Sequence, residues 1–305
     1  MIKRLLQHVL PLAVSAGLLG WLLYRVPPEK LLEELSGLPR AEILTLSAAL
    51  VIALYAWDTV CLQTVFASGA DVVSYRRMLA VRGMSYLLGA FNYELGQGVV
   101  AWNVSRMQGI SLLSTVSRSV VLAYHDLTIL LSMGLLGALF VEDRPRQVTT
   151  VMVVSAIGLV GLIAVALLFS LLPPRKRQAV RATRWGAWLV DWSWGRSSRL
   201  IGQRFVYFAI LVAYGAVALG VSGIPVDAFI VISTLPFVLL ADALPSVSGI
   251  GTRETALVLL LNPENQAVLL AVSLIWSSSM VIGRLLIGLV WLWLPADLAL
   301  HAPET

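Results

Sequence analysis

Eight ionisable side chains stand inside apolar stretches of this 305-residue chain: Asp58, Glu94, His125, Asp126, Asp242, Arg253, Glu254 and Arg284. A charge at the centre of a bilayer costs about 2.5–3.5 kcal/mol on insertion scales, so such residues mark functional sites by default. The chemistry open to them is anion recognition by the arginines and proton transfer by the acids and the histidine. Arg284, near the middle of the last apolar run, requires an anionic partner, with Asp126 and Glu254 as the candidates. Asp126 follows His125, a pair suited to proton relay, and Asp58 is a third relay candidate. A lone histidine with no second ligand at helical spacing predicts no metal, and a hydrogen-bonded buried imidazole is the plainer reading.

The densest polar stretch is Ala243–Val258, ALPSVSGIGTRETALV. Its apolar flanks, Val226–Ala241 and Thr255–Leu261, are each short of the ~20 residues a spanning helix needs. A helix-breaking run at membrane depth leaves backbone groups that lipid cannot satisfy, so it must be buried in protein or line a cavity. Gly249 and Gly251 there, and Gly96 and Gly98 in the stretch NYELGQGVVAW, are each expected to precede a restarting helix, where glycine supplies positive φ. A restarting helix offers unpaired N–H groups and the positive end of its dipole to an anion. Arg253 lies in the first turn of the later one, and Ser246, Ser248 and Thr252 add hydroxyl donors suited to a phosphate.

The elements that must position these groups are those of a polytopic membrane protein. The chain is 58% hydrophobic and 13% charged, against roughly 25% charged in an average soluble domain. Lys3 and Arg4 precede a long apolar run without a small-x-small cleavage site, which predicts a first span and not a signal peptide. The single cysteine, Cys61, excludes a disulfide framework. Eight apolar segments follow one another: Leu5–Val26, Ile43–Ala67, Met78–Arg106, Val116–Val141, Val148–Leu172, Phe205–Val221, Val226–Leu261 and Gln266–Leu294. The third and seventh are interrupted, the third at Asn92–Gly98, and both are expected to be re-entrant hairpins. The fold class is therefore all-α, with about six transmembrane helices and two re-entrant broken helical hairpins, in one integral membrane domain, 1–305.

Orientation follows from basic residues in short loops. With the N-terminus cytoplasmic, fifteen of the 22 lysines and arginines fall on that side, among them Arg82, Arg106, Arg118 and the eight of the Arg175–Arg204 loop. Five fall outside, and Arg253 and Arg284 stay in the membrane. This places the protein in the cell (plasma or inner) membrane. Residues 1–141 run span, span, broken hairpin, span, and residues 148–305 repeat that order after three crossings, the pattern of inverted transporter repeats with a midplane site. Trp185, Trp188, Leu189 and Trp192 share a helical face flanked by arginines, as in an interfacial helix or a topology anchor. PPEKLLEELSGL reads as a short amphipathic surface helix.

LPSVSGIGTRETALVLLL resembles the Pro-x-Ser-x-Gly-Gly-x-Gly-x-Arg-Glu signature of the lysylphosphatidylglycerol synthase transmembrane-region family, flippase-like membrane proteins. NYELGQG with Arg106 occupies that family's Pro-Gly-Arg-x-Gly-Glu region, and VLAYHDLTILL resembles its Leu-Glu-Arg-x-x-Asp helix, with Asp126 on the aspartate. The chain departs from the pattern at Ala123, Tyr124 and Ser248 and lacks the proline of the first break. The resemblance implies movement of a lipid or lipid-linked sugar across a bilayer, without the soluble synthase domain. It directs the substrate-binding expectation to Arg253, Glu254, Gly249, Gly251, Ser248, Thr252, Arg284, Asp126, Gly96, Gly98, Glu94 and Arg106, with a phosphate-containing lipid headgroup as partner. The alternative is an integral-membrane transferase, or an accessory subunit, acting on a lipid-linked substrate. No cofactor, metal or nucleic acid is expected. Five embedded acids, Asp58, Glu94, Asp126, Asp242 and Glu254, against two embedded arginines further predict a proton-coupled cycle centred on Asp126.

Overall fold

A computed structural model of the chain describes residues 2–67, 73–90, 93–173, 175–176, 194–224, 227–241, 246, 249–261 and 266–293. Every regular element among them is helical. In chain order they are α1 (Ile2–Arg25), α2 (Pro28–Gly37), α3 (Arg40–Phe66), α4 (Tyr75–Gly89), α5 (Tyr93–Gln108), α6 (Leu112–Leu139), α7 (Arg146–Leu171), α8 (Trp194–Val221), α9 (Ala228–Leu240), α10 (Thr252–Leu260) and α11 (Gln266–Trp293). Five of them, α3, α6, α7, α8 and α11, are long and apolar enough to cross a membrane. The expected first span falls on α1, whose Leu12–Arg25 stretch is a shorter apolar helix outside those five, and the amphipathic outer stretch falls on α2. The expected interfacial tryptophans, Trp185, Trp188 and Trp192, lie outside the described residues.

Both interrupted segments are pairs of short helices. At 1.5 Å per residue, α4 and α5, with 15 and 16 residues, are about 23 and 24 Å long, and α9 and α10, with 13 and 9, about 20 and 14 Å. Each is shorter than the ~30 Å hydrocarbon core of a bilayer. In α9, Asp227 at the N-cap accepts from Phe229 N at 2.8 Å and Ile230 N at 3.2 Å, which starts the helix.

The chain divides into two compact units. The first is Met1–Val51, Leu130–Ala156 and Phe208–Gly283; the second is Ile52–Ile129, Ile157–Tyr207 and Arg284–Thr305. In the first unit α9 packs on α6 through Gly137, where a Cβ would stand 2.5 Å from the Ser233 backbone nitrogen. In the second, Cys61, Leu62 and Phe66 of α3 form a core with Met78 and Val81 of α4, Val100 and Val104 of α5, Leu122 of α6 and Leu200 of α8. α7 differs from the other long helices: 11% of its most apolar window is buried, against 39–44% in the rest.

The first glycine pair does not do what the sequence predicts. Gly96 and Gly98 lie within α5 and do not precede it, and among the described residues the positive-φ glycines are Gly109, Gly223, Gly249 and Gly251. Gly96 instead lets α5 approach α4, since a Cβ there would lie 2.8 Å from Gly89 Cα and 3.0 Å from Ser85 O. Both neighbours are backbone and cannot swing aside. Gly96→Ala is therefore expected to lower stability by about 1–3 kcal/mol, the usual range for overpacking. Gly98, which has open space around it, is the control: Gly98→Ala is expected to melt with the parent in a detergent thermal-shift assay. Equal melting of both variants would remove the close approach as a packing determinant.

Candidate functional site

In the first unit the second glycine pair behaves as expected. Gly249 and Gly251 have φ of 77° and 91°, values that a residue with a Cβ adopts only with strain. Gly251 also lies against α1, where a Cβ would stand 3.0 Å from Ser15 O. The helix they start, α10, is held by its own residues. Gly251 N donates to Glu254 Oε2 at 2.6 Å, Arg253 N to Gly249 O at 3.0 Å and Thr255 N to Gly251 O at 3.1 Å. The Thr252 hydroxyl donates to Gly249 O at 3.0 Å, and Ser246 Oγ lies 3.1 Å from it. Ser277 of α11 donates to the other Glu254 oxygen at 2.5 Å. The anion at this helix end is thus the chain's own carboxylate, fully buried, the N3-to-N-cap half of a capping box, with glycine at the N-cap offering no side chain for the return bond. Arg253, 4% exposed, has its guanidinium 5.3 Å from the ring centroid of Trp276. Trp276 in turn packs on Tyr214, whose hydroxyl shares a 2.6 Å hydrogen bond with Ser47.

In the second unit, four helices bring charges together. On α3, Tyr55 and Asp58 are three residues apart and share a face. Tyr55 donates to Leu79 O at 2.7 Å, and Asp58 Oδ2 meets Arg82 Nε of α4 at 2.7 Å. That second contact is an ion pair whose N–H does not point along the line to the oxygen. Trp57 donates to Gln203 O at 2.7 Å, and this draws α8 alongside α3 and seats Arg204. Arg204 is a two-sided clamp. Its Nε and Nη2 donate to the two oxygens of Asp126 at 2.5 and 2.8 Å, and its Nη1 to Asp58 Oδ1 at 2.7 Å. Asp58, Arg82 and Arg204 are each 8% exposed or less. Buried pairs of this kind hold only when the forks and lone pairs match, as the bidentate arrangement does here.

Arg284 joins them through α11. Four residues on, Gly288 lies against Leu87, with a would-be Cβ 2.6 Å from Leu87 Cγ. This sets α11 against α4 and stands the Arg284 guanidinium 5.8 Å from the Tyr86 ring centroid. Arg82 stands over the same ring at 4.8 Å, and Arg204 over Tyr207 at 4.1 Å. A cavity of about 50 Å³ is enclosed by Asp58, Arg82, Arg204 and Arg284, with Tyr86 and Tyr207 as walls and Ser85, Gly89 and Gly96 completing the lining.

Of the predicted site residues, Asp58, Arg284 and Gly96 meet at this cavity, with Asp126 one shell behind on Arg204. Arg253, Glu254, Thr252, Gly249 and Gly251 meet at the α10 cap in the other unit. Gly98 stands in open space, and Arg106 is exposed at the end of α5, 5.0 Å over Trp102. Ser248, Asp242 and the Glu94 side chain lie outside the described residues. His125 has Nδ1 2.7 Å from Val121 O of its own helix, the buried imidazole of the plainer reading. Of the two counter-ions expected of Arg284, Asp126 is held by Arg204 and Glu254 by Gly251 N and Ser277.

Arg82 and Arg204 are the residues that sequence reasoning missed. Both are assigned there to the cytoplasmic side, yet both are buried within helices, as is Arg118, which donates to Phe66 O at 3.2 Å. Taking these three from the fifteen leaves twelve basic residues against five, so the loop imbalance persists. The count of embedded cations does not: the predicted excess of acids omits the two guanidiniums that neutralise Asp58 and Asp126. Ser197, Leu200 and Arg204 are buried at positions i, i+3 and i+7 of α8, so one helical face runs through the predicted boundary at Phe205. Among the described residues no three of His, Cys, Asp and Glu gather as a metal site requires. Comparison of the chain with protein-family models, curated proteins and solved structures returns no match.

Proposed function

We propose that the protein is an integral membrane transporter of the flippase-like kind, which moves a lipid or lipid-linked sugar with an anionic headgroup across the bilayer. The observation that carries this reading is the arginine-lined cavity, to which three helices of membrane-span composition, α3, α8 and α11, contribute Asp58, Arg204 and Arg284. Ionisable groups at that depth are expensive and are kept where a polar substrate has to pass. The residues of the family signature in LPSVSGIGTRE add to it, as does the break they occupy.

In this reading α4–α5 and α9–α10 are re-entrant hairpins, residues 1–141 and 148–305 are inverted repeats, and the N-terminus faces the cytoplasm. Short helices in the corresponding place of each half are the pattern that transporters of inverted topology use to reach a midplane site. The purified protein is expected to speed the loss of a fluorescent lipid's signal when a membrane-impermeant quencher is added outside reconstituted vesicles, beyond the outer-leaflet share. Signal loss identical to that of protein-free vesicles, across anionic and lipid-linked sugar probes, would sink the transport reading.

A further inference from the structure

We propose that the exposed face of α5 is a docking surface for one anionic phospholipid, its phosphodiester received by Arg106 and one acyl chain laid along Trp102, Gly98 and Leu95. The site goes beyond the transport reading and does not depend on it.

Helical spacing sets the face. Gly96, Val100, Asn103 and Val104, at i, i+4, i+7 and i+8, are buried and turn one side of α5 into the second unit. Leu95, Gly98, Trp102 and Arg106, at i, i+3, i+7 and i+11, form a separate stripe that is exposed throughout, Leu95 by 53% and Trp102 by 51%. Nothing stands within 4 Å of the place a Cβ would take on Gly98, so the stripe has a gap there in which a chain can lie against backbone. From Leu95 to Arg106 the helix rises about 17 Å at 1.5 Å per residue. One leaflet contributes ~15 Å to the ~30 Å hydrocarbon core. The stripe is as long as a lipid tail and carries its cation at one end.

That cation is held in place. The Arg106 guanidinium stands 5.0 Å from the Trp102 ring centroid, a stack that orients the planar fork suited to phosphate. The end of α5 is anchored in turn, since Gln108 donates to Phe66 O at 2.9 Å and the Ser105 hydroxyl to Ile110 O at 2.7 Å. Tryptophan and arginine both favour the headgroup level, the indole as an amphipathic ring and the arginine by snorkelling.

Charge selects the lipid. α4 and α5 run antiparallel: Gly96 meets Gly89 and Ser85, and Met78 and Val81 join one core with Val100 and Val104. Arg76 and Arg77, at the start of α4, therefore share an end with Arg106. From Asp71, which lies outside the described residues, to Arg118 the sequence holds five arginines against two acids, Asp71 and Glu94. Glu94 sits in the first turn of α5, about 18 Å along the helix from Arg106. The chain supplies its own contrast. Trp21 and Arg25 repeat the pair in the last turn of α1, at 4.6 Å, but α2 follows with Glu29, Glu33 and Glu34 against Lys30. Cations around the α5 pair draw anionic headgroups, whereas the acids beside the α1 pair repel them.

The test presents the full-length protein in detergent with equimolar phosphatidylglycerol and phosphatidylcholine of matched chains, and reads the first lipid retained by native mass spectrometry. The parent is expected to favour phosphatidylglycerol at least fivefold. Arg106→Gln is expected to weaken phosphatidylglycerol binding at least fivefold, Trp102→Leu by a few fold, and Arg25→Gln by less than twofold. Equal retention of the two lipids by the parent overturns the proposal, as does binding by a monodisperse Arg106→Gln protein within twofold of the parent. A loss in Arg25→Gln as large as that in Arg106→Gln also overturns it, because net charge alone would then account for the effect. If Arg106→Gln does not fold, Trp102→Leu decides, and an unchanged affinity overturns the site. Lipid movement in vesicles is a separate readout. Its absence in the parent, with this binding pattern intact, sinks the transport reading and leaves the site; movement with the pattern missing does the reverse.

Discussion

Arg204→Ala is expected to destabilise the protein by about 3–5 kcal/mol, the cost of removing one member of a buried ion pair and leaving the other uncompensated. Here the loss is double-sided. Asp126 gives up the guanidinium that holds both its oxygens, and Asp58 keeps only its contact with Arg82. The packing of the arginine on Tyr207, at 4.1 Å, goes as well. In a detergent thermal-unfolding scan this corresponds to a fall on the order of 10 °C, or to loss of the monodisperse species altogether. Arg204→Lys keeps the charge but not the fork, and is expected to fall between. Adding Asp126→Asn to Arg204→Ala is expected to return part of the loss, because one stranded charge is removed. A melting temperature within a degree of the parent for Arg204→Ala would show that water reaches the cluster and screens it.

Arg253→Ala is expected to bring lipid movement in vesicles down to the protein-free background while the protein still inserts. The argument concerns the other unit. Arg253 is buried in the first turn of α10, beside the Trp276 ring, where Gly251 N donates to Glu254 and Arg253 N to Gly249 O. The bonds from Gly251 N and from the Thr252 and Thr255 hydroxyls do not run through the Arg253 side chain, so they are expected to survive the substitution. Arg253→Lys tests the fork separately from the charge. Undiminished movement by the alanine variant would make Arg253 a packing partner of Trp276 and remove it from the transport path.

Hydropathy made the framework legible. Each of the eight apolar segments overlaps one helix or a pair of short helices, although α8 starts at Trp194, well before Phe205, and the first predicted interruption, Asn92–Gly98, runs into α5. The reason is physical: a run of apolar residues long enough to span has few alternatives to a helix. The two glycine pairs separate what spacing can decide from what it cannot. Gly-x-Gly admits two uses, a left-handed backbone at a helix start and a close approach between helices. Only the second pair is flanked by Ser, Thr, Arg and Glu in a capping order. The first pair lies within a helix and serves contact with Gly89. Arg82 and Arg204 were illegible for a different reason. Each lies near the end of an apolar run, where an arginine ordinarily reaches the headgroups. Their burial depends on Asp58 and Asp126, which are distant in sequence and near only once α3, α4, α6 and α8 are packed.

The cap of α10 also bears on how the chain is made. Its bonds among Gly249, Gly251, Thr252, Glu254 and Thr255 span three or four residues, while the Ser277 hydroxyl arrives from a helix synthesised later. A nascent chain therefore carries the partners of Gly251 N, Arg253 N and Thr255 N before α11 exists. In hydrocarbon, an open helix end waiting for a distant partner would expose unpaired donors at several kcal/mol each. With the carboxylate of Glu254 built into the first turn, that interval passes with the donor closed. The break can thus be laid down during synthesis and locked to its neighbour afterwards.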